Sequence, residues 1–236
     1  MAEIKVCGMI CEKDIALVNE TGPDYVGFVL YVPKSKRNLE IREARRLADR
    51  VRQGIFRVAV TVSPTKDQID EIQQGDFFDA VQIHGHFGNE LYERISLPVI
   101  RAFNVTNLHE FEHWKSKEKI VGFVFDSKVP GSGSTFDWSL IEGLDRAGKK
   151  MFLAGGINEN NVLEAIRQVR PDVIDLSSAL EKQDLKMPDS SEPAKEAGGL
   201  RAAAAACGTG DGSCLRSSGK DPEKTRKMIR MVHNEE

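Results

Sequence analysis

Two side chains in this sequence have the types and settings that proton-transfer chemistry needs. Asp126 ends an apolar run of strand length, Val121 to Phe125, and a small-residue loop with Pro130, Gly131, Ser132 and Gly133 follows it. Cys7 ends a second such run that begins at Ile4. A buried carboxyl with a raised pKa can act as a general acid, and a thiol can act as a base once a cation or dipole favours the thiolate. Lys5 lies two residues before Cys7, on the same face of that strand, and could supply the cation. Lys128 and Arg101 are the cations that could instead tie Asp126 into a plain salt bridge. Arg37 closes the cationic run Pro33-Lys-Ser-Lys-Arg37, and a guanidinium grips a carboxylate through two parallel hydrogen bonds. Gly155-Gly156 opens a helix, and Ser177-Ser178 follows another apolar run. With Gly131, Ser132 and Gly133 these make three loops of the kind that cradle a phosphate with bare backbone N–H groups.

These residues have to be brought together by their elements. Apolar runs stand at Ile4–Cys7, Tyr25–Val29, Ile55–Thr61, Ala80–Ile83, Val99–Ala102, Val121–Phe125, Met151–Ala154 and Val173–Leu176. Most are apolar on both faces, as in a parallel sheet covered on both sides. Helical patterns alternate with them, including Asp14–Asn19, Glu40–Val51, Pro64–Gly75, Glu90–Ile95, Leu108–Trp114, Trp138–Asp145, Asn160–Val169 and Glu223–Val232. Eight strand–helix units close most economically into a single (β/α)8 TIM barrel. The alternative is a doubly wound open sheet, but Cys7-Gly8-Met9-Ile10 stands where its glycine fingerprint would follow the first strand. In a barrel every strand end lies on one rim, so Cys7, Asp126 and the small-residue loops share a mouth. Lys5, Gln82 and His84 are expected to wall the same pocket. Residues 182–219, with Pro188, Gly198-Gly199 and Ala202–Ala206, break the rhythm between the eighth strand and the last helix. They have the composition of a flexible insertion, within one domain spanning 1–236.

Composition narrows the class further. The chain has 236 residues, 40% of them hydrophobic and 29% charged, which is ordinary for a globular protein able to bury a full core. A net charge of -3 gives no reason to expect a nucleic acid partner. No run approaches the ~18 apolar residues of a membrane span. Met1 leads almost directly into the first strand, leaving no room for a signal peptide, and the four cysteines read as reduced thiols. The expected compartment is the cytoplasm. Cys7 and Cys11 lack a matching pair, and His84 and His86 need not share a face, so no metal site is expected.

The order of these pieces resembles the phosphoribosylanthranilate isomerase family of tryptophan biosynthesis. The matching segments are Lys5-Val-Cys-Gly8, Asp24-Tyr-Val-Gly-Phe28, Pro33-Lys-Ser-Lys-Arg37 and Val81-Gln-Ile-His-Gly85. Further on come Phe125-Asp126 with Gly131 to Trp138, Leu153-Ala-Gly-Gly156, Asp175-Leu-Ser-Ser178 with Glu181, and Lys220-Asp-Pro-Glu-Lys224. The resemblance implies a cofactor-free barrel, a monomer or homodimer acting on a small phosphosugar. Its reaction is an Amadori rearrangement of N-(5-phosphoribosyl)anthranilate to 1-(2-carboxyphenylamino)-1-deoxyribulose 5-phosphate. It further implies Cys7 as the base at the sugar C2′, Asp126 as the acid at the ring oxygen and Arg37 on the anthranilate carboxylate. The loops of Gly133, Gly156, Ser177 and Ser178 would bind phosphate. Ala179 departs from the family's glycine after the two serines, Ser132 replaces a loop glycine, and the 182–219 segment adds to the phosphate side. Two other readings stay open on residues alone: a related phosphosugar barrel with epimerase or synthase chemistry, and a barrel that only binds a phosphorylated ligand.

Overall fold

A computed structural model describes residues 1–104, 106–127, 135–182 and 219–234. The eight long strands are β1 (Glu3–Cys7), β2 (Tyr25–Leu30), β3 (Phe56–Val62), β4 (Ala80–His84), β5 (Val99–Asn104), β6 (Ile120–Asp126), β7 (Lys150–Leu153) and β8 (Val173–Leu176). Neighbours pair in parallel in sequence order. β1 pairs with both β2 and β8, so the sheet closes on itself as the expected barrel. A two-residue strand, Asn38–Leu39, adds on beside β2.

The helices are α1 (Glu12–Thr21), α2 (Ile41–Ala48), α3 (Lys66–Gln73), α4 (Asn89–Arg94), α5 (Phe111–Trp114), α6 (Val162–Val169) and α7 (Pro222–His233). Their ends follow from local chemistry. Thr65 and Gln68 form a reciprocal capping box at α3. At α7 the Asp221 carboxylate accepts from the Glu223 and Lys224 amides, and Pro222 occupies the first turn. The sixth unit departs from expectation. In place of a helix over Trp138–Asp145 stands only a 3₁₀ turn, Trp138–Ile141. Gly143 then takes φ +70, the left-handed region that stops a helix.

Parallel strands covered on both sides need two apolar layers, and both are present. Inside the barrel pack Val58, Val60, Ile100, Ala102, Val124, Phe152 and Val173. Between barrel and helices lies the larger core, which includes Val6, Phe28, Leu47, Phe103, Phe111, Phe123 and Phe125. Alternate residues of one strand serve the two layers, so the inward set of each strand decides what reaches the mouth.

Candidate active site

One cavity of about 420 Å³ opens where the strands end, with Cys7, Arg37, Gln82, His84, Asp126, Asp175, Gly155, Gly156, Ser177 and Ser178 in its wall. Asp126 and Cys7 are the last residues of β6 and β1, and both are buried. Burial raises the Asp126 carboxyl to about 6, against the pull of the Ser127 amide and Lys5. That amide donates to Asp126 Oδ1 at 2.7 Å, which fixes the carboxyl plane. A carboxyl at this value holds its proton long enough near neutrality to give it away.

Two glycines make the room. A Cβ on Gly155, which has φ +78, would meet the Ser127 nitrogen at 2.5 Å and Asp126 Oδ1 at 2.8 Å. Gly155 therefore makes room for Asp126, a contact separate from the phosphate role its position suggested. Gly27 pairs with Cys7 across β1 and β2, and a Cβ there would stand 2.7 Å from the Cys7 sulfur. The thiol occupies the space this missing side chain leaves.

Lys5 lies deeper in the barrel and is fully buried. Its ammonium donates to Asp175 Oδ2 at 2.8 Å, across a strand pair whose members are distant in sequence. Burial acts to lower the Lys5 pKa, but Asp175, followed by Cys7, outweighs it and holds the ammonium above its usual value. The expected cation thus stands within reach of the thiol, with a partner the residue-by-residue reading did not assign. Asp175 stands in a matched motif, but its role depends on a pairing that only the closed barrel creates.

Gln82 and His84 take the expected wall positions. Gln82 Nε2 lies 2.8 Å from His84 Nε2. Enclosure, followed by the charges of Lys5 and Arg101, pushes the imidazole down to about 3, so it is neutral. Arg101 itself does not pair with Asp126. It points outward to the Ile83 carbonyl at 3.0 Å and Glu110 at 3.3 Å, with its guanidinium over Phe87 and Phe103. Ala102, next to Arg101 on β5, lines the cavity instead, with Phe103 and Asn104 after it.

The loops expected to bind phosphate are described in part. Gly155, Gly156, Ser177 and Ser178 line one side of the cavity together with Ala179. The Ser177 hydroxyl donates to the Cys7 carbonyl at 3.1 Å, which ties the end of β8 to the end of β1. Ala179 sits in the 3₁₀ turn Ser178–Leu180 without a positive φ, so alanine replaces glycine there without backbone strain. Gly131, Ser132 and Gly133, and Lys128 beside them, lie outside the described residues. Among the described residues no group of three or more His, Cys, Asp or Glu could hold a metal ion, and no helix is long and apolar enough to cross a membrane.

Known proteins resemble this chain in sequence and in fold. The sequence model for N-(5'phosphoribosyl)anthranilate (PRA) isomerase matches residues 4–189. The N-(5'-phosphoribosyl)anthranilate isomerase of Streptococcus mutans is 33% identical over 190 residues, covering 79% of this chain and 93% of that protein. The crystal structure of phosphoribosyl anthranilate isomerase from Thermotoga maritima superposes with a TM-score of 0.72 at 28% identity, covering 100% of both chains. A further phosphoribosyl anthranilate isomerase structure, in complex with reduced 1-(o-carboxyphenylamino)-1-deoxyribulose 5-phosphate, gives 0.69 at 27% identity, again over 100% of both chains. By the extent of the family match and the identity to its members, this chain belongs to the N-(5'-phosphoribosyl)anthranilate isomerase family.

Proposed function

We propose that Asp126 and Cys7 carry the acid and base steps by which this chain isomerises N-(5'-phosphoribosyl)anthranilate in tryptophan synthesis. The observation that carries this reading is the raised Asp126 carboxyl, at about 6, in the wall of the same cavity as the Cys7 thiol. Protonated Asp126 gives its proton to the furanose ring oxygen. The bond from that oxygen to C1′ breaks, and the nitrogen lone pair closes a C1′–N double bond. Cys7, as thiolate, removes the C2′ proton, and the electron pair left behind neutralises the iminium as an enolamine. Tautomerisation of the enolamine gives the ketone, and solvent restores both side chains. Lys5, held by Asp175, supplies positive charge beside the base.

Arg37 is assigned to the anthranilate carboxylate. The backbone of Gly155, Gly156, Ser177 and Ser178 is assigned to the phosphate, with Gly131, Ser132 and Gly133 completing that wall. A related enzyme was solved with a reduced carboxyphenylamino-deoxyribulose phosphate, a ligand that carries both anions. We also assign residues 1–236 to one barrel domain.

The test is turnover of phosphoribosylanthranilate, followed by loss of its fluorescence. Cys7→Ser and Asp126→Asn should each cut kcat by about 10²–10⁴-fold, the usual worth of a positioned acid or base, with the fold intact by circular dichroism. Turnover near that of the parent in either variant would remove that residue from the scheme.

A further inference from the structure

Glu181 is a buried carboxylate that the acid–base scheme does not use. It follows the 3₁₀ turn after β8 and is 6% exposed. Its Oε1 accepts from Arg37 Nε at 2.5 Å and lies 3.9 Å from Lys220 Nζ. Its Oε2 lies 2.6 Å from Lys36 Nζ. Burial acts to raise this carboxyl, but hydrogen bonds from Arg37 and Lys36, and the charge of Lys220, outweigh it and hold it below the usual value. Glu181 is therefore an anion at neutral pH, placed where a lone carboxylate would be costly.

Arg37 is held at two points. Its stem passes over the bare backbone of Gly8, where a Cβ would meet Arg37 Cδ at 2.5 Å. Its Nε is held by Glu181. Among the described residues the two terminal Nη groups have no hydrogen-bond partner, and Arg37 lines the cavity. A guanidinium with its Nε occupied still offers the Nη pair as a fork matched to a carboxylate. One anion facing Arg37, Lys36 and Lys220 also leaves the cluster net positive, so Glu181 orients Arg37 without cancelling its charge.

We propose that Glu181 is a positioning residue for substrate recognition: it sets the plane of the Arg37 guanidinium so that the free edge meets the aryl carboxylate of the substrate. The inference rests on the assignment of Arg37 to that carboxylate, and a double-mutant cycle separates the two. KM and kcat are measured for the parent, Glu181→Gln, Arg37→Met and the double variant.

Glu181→Gln should raise KM about tenfold, within the range of coupling between contacting groups, and leave kcat nearly unchanged. In the Arg37→Met background the same change should leave KM where it was. Additive effects, or a loss confined to kcat, would mean that Glu181 acts other than through Arg37 and would overturn the inference alone. An unchanged KM in Arg37→Met would overturn the carboxylate assignment, and this inference with it. If Glu181→Gln shows no melting transition, Glu181→Asp is read in the same cycle. It keeps the charge, withdraws it by one methylene and should also raise KM only where Arg37 is present; an unchanged KM overturns the proposal.

Discussion

Asp126 has a thermodynamic signature that can be read without substrate. Its carboxyl moves from an ordinary value of 3.8 to about 6 on folding, chiefly through burial. Below both values the folded and unfolded chains are equally protonated, and the group contributes nothing. As pH rises between them the unfolded chain ionises while the folded chain keeps its proton, so stability falls. At neutral pH the carboxylate costs the fold on the order of 3 kcal/mol. Asp126→Asn removes that cost and keeps an oxygen for the Ser127 amide. Urea titrations should therefore find the variant more stable than the parent at pH 7, with the two converging as pH falls below the unfolded value of 3.8. An Asn variant no more stable at pH 7 would show that burial does not dominate the site. On the acid role proposed for Asp126, the residue is kept for its chemistry at the expense of stability.

At the scale of elements, the strands were legible because a strand buried on both faces is apolar along its whole length. Which way each residue points was not. Arg101 and Ala102 are neighbours on β5, yet the arginine faces the helices and the alanine faces the cavity. The Lys5–Asp175 pair joins strands at opposite ends of the sequence, which no local pattern can show. The 138–145 stretch misled because its apolar spacing is helical, whereas Leu140 is 48% exposed and Gly143 turns the chain left-handed. Gly155 was legible as a turn and Gly27 as part of a strand, but neither pattern shows that their missing side chains leave room for Asp126 and Cys7. Gly27→Ala would put a Cβ 2.7 Å from the Cys7 sulfur and 3.3 Å from its Cα, so β1 or the thiol must shift. A displacement of that size at a reacting group costs about 10²-fold in rate. We expect kcat to fall by that order while KM changes little, and thiol labelling of Cys7 to change with it. Parent-like kcat would show that the strand pair absorbs the methyl without moving the base.

For the whole molecule, the described residues on either side of 183–218 come together at one place. Glu181 and Lys220 form an antiparallel bridge, and the Lys182 amide donates to the Gly219 carbonyl at 3.3 Å. The Asp221 amide donates to the Leu180 carbonyl at 2.7 Å. These bonds join β8 to α7, and they carry Glu181 and Lys220 into the cluster around Arg37. Antiparallel chains so paired are closed by a turn of a few residues. Replacing residues 183–218 with a four-residue Asn-Gly turn should preserve the bridge, kcat and KM. Shortening a loop lowers its closure entropy by ~0.6 kcal/mol per halving, so the midpoint of urea unfolding should rise by the equivalent of about 2 kcal/mol. A raised KM with kcat unchanged would mean that the segment holds the Arg37 cluster in place; a loss of kcat would place part of it in the catalytic machinery.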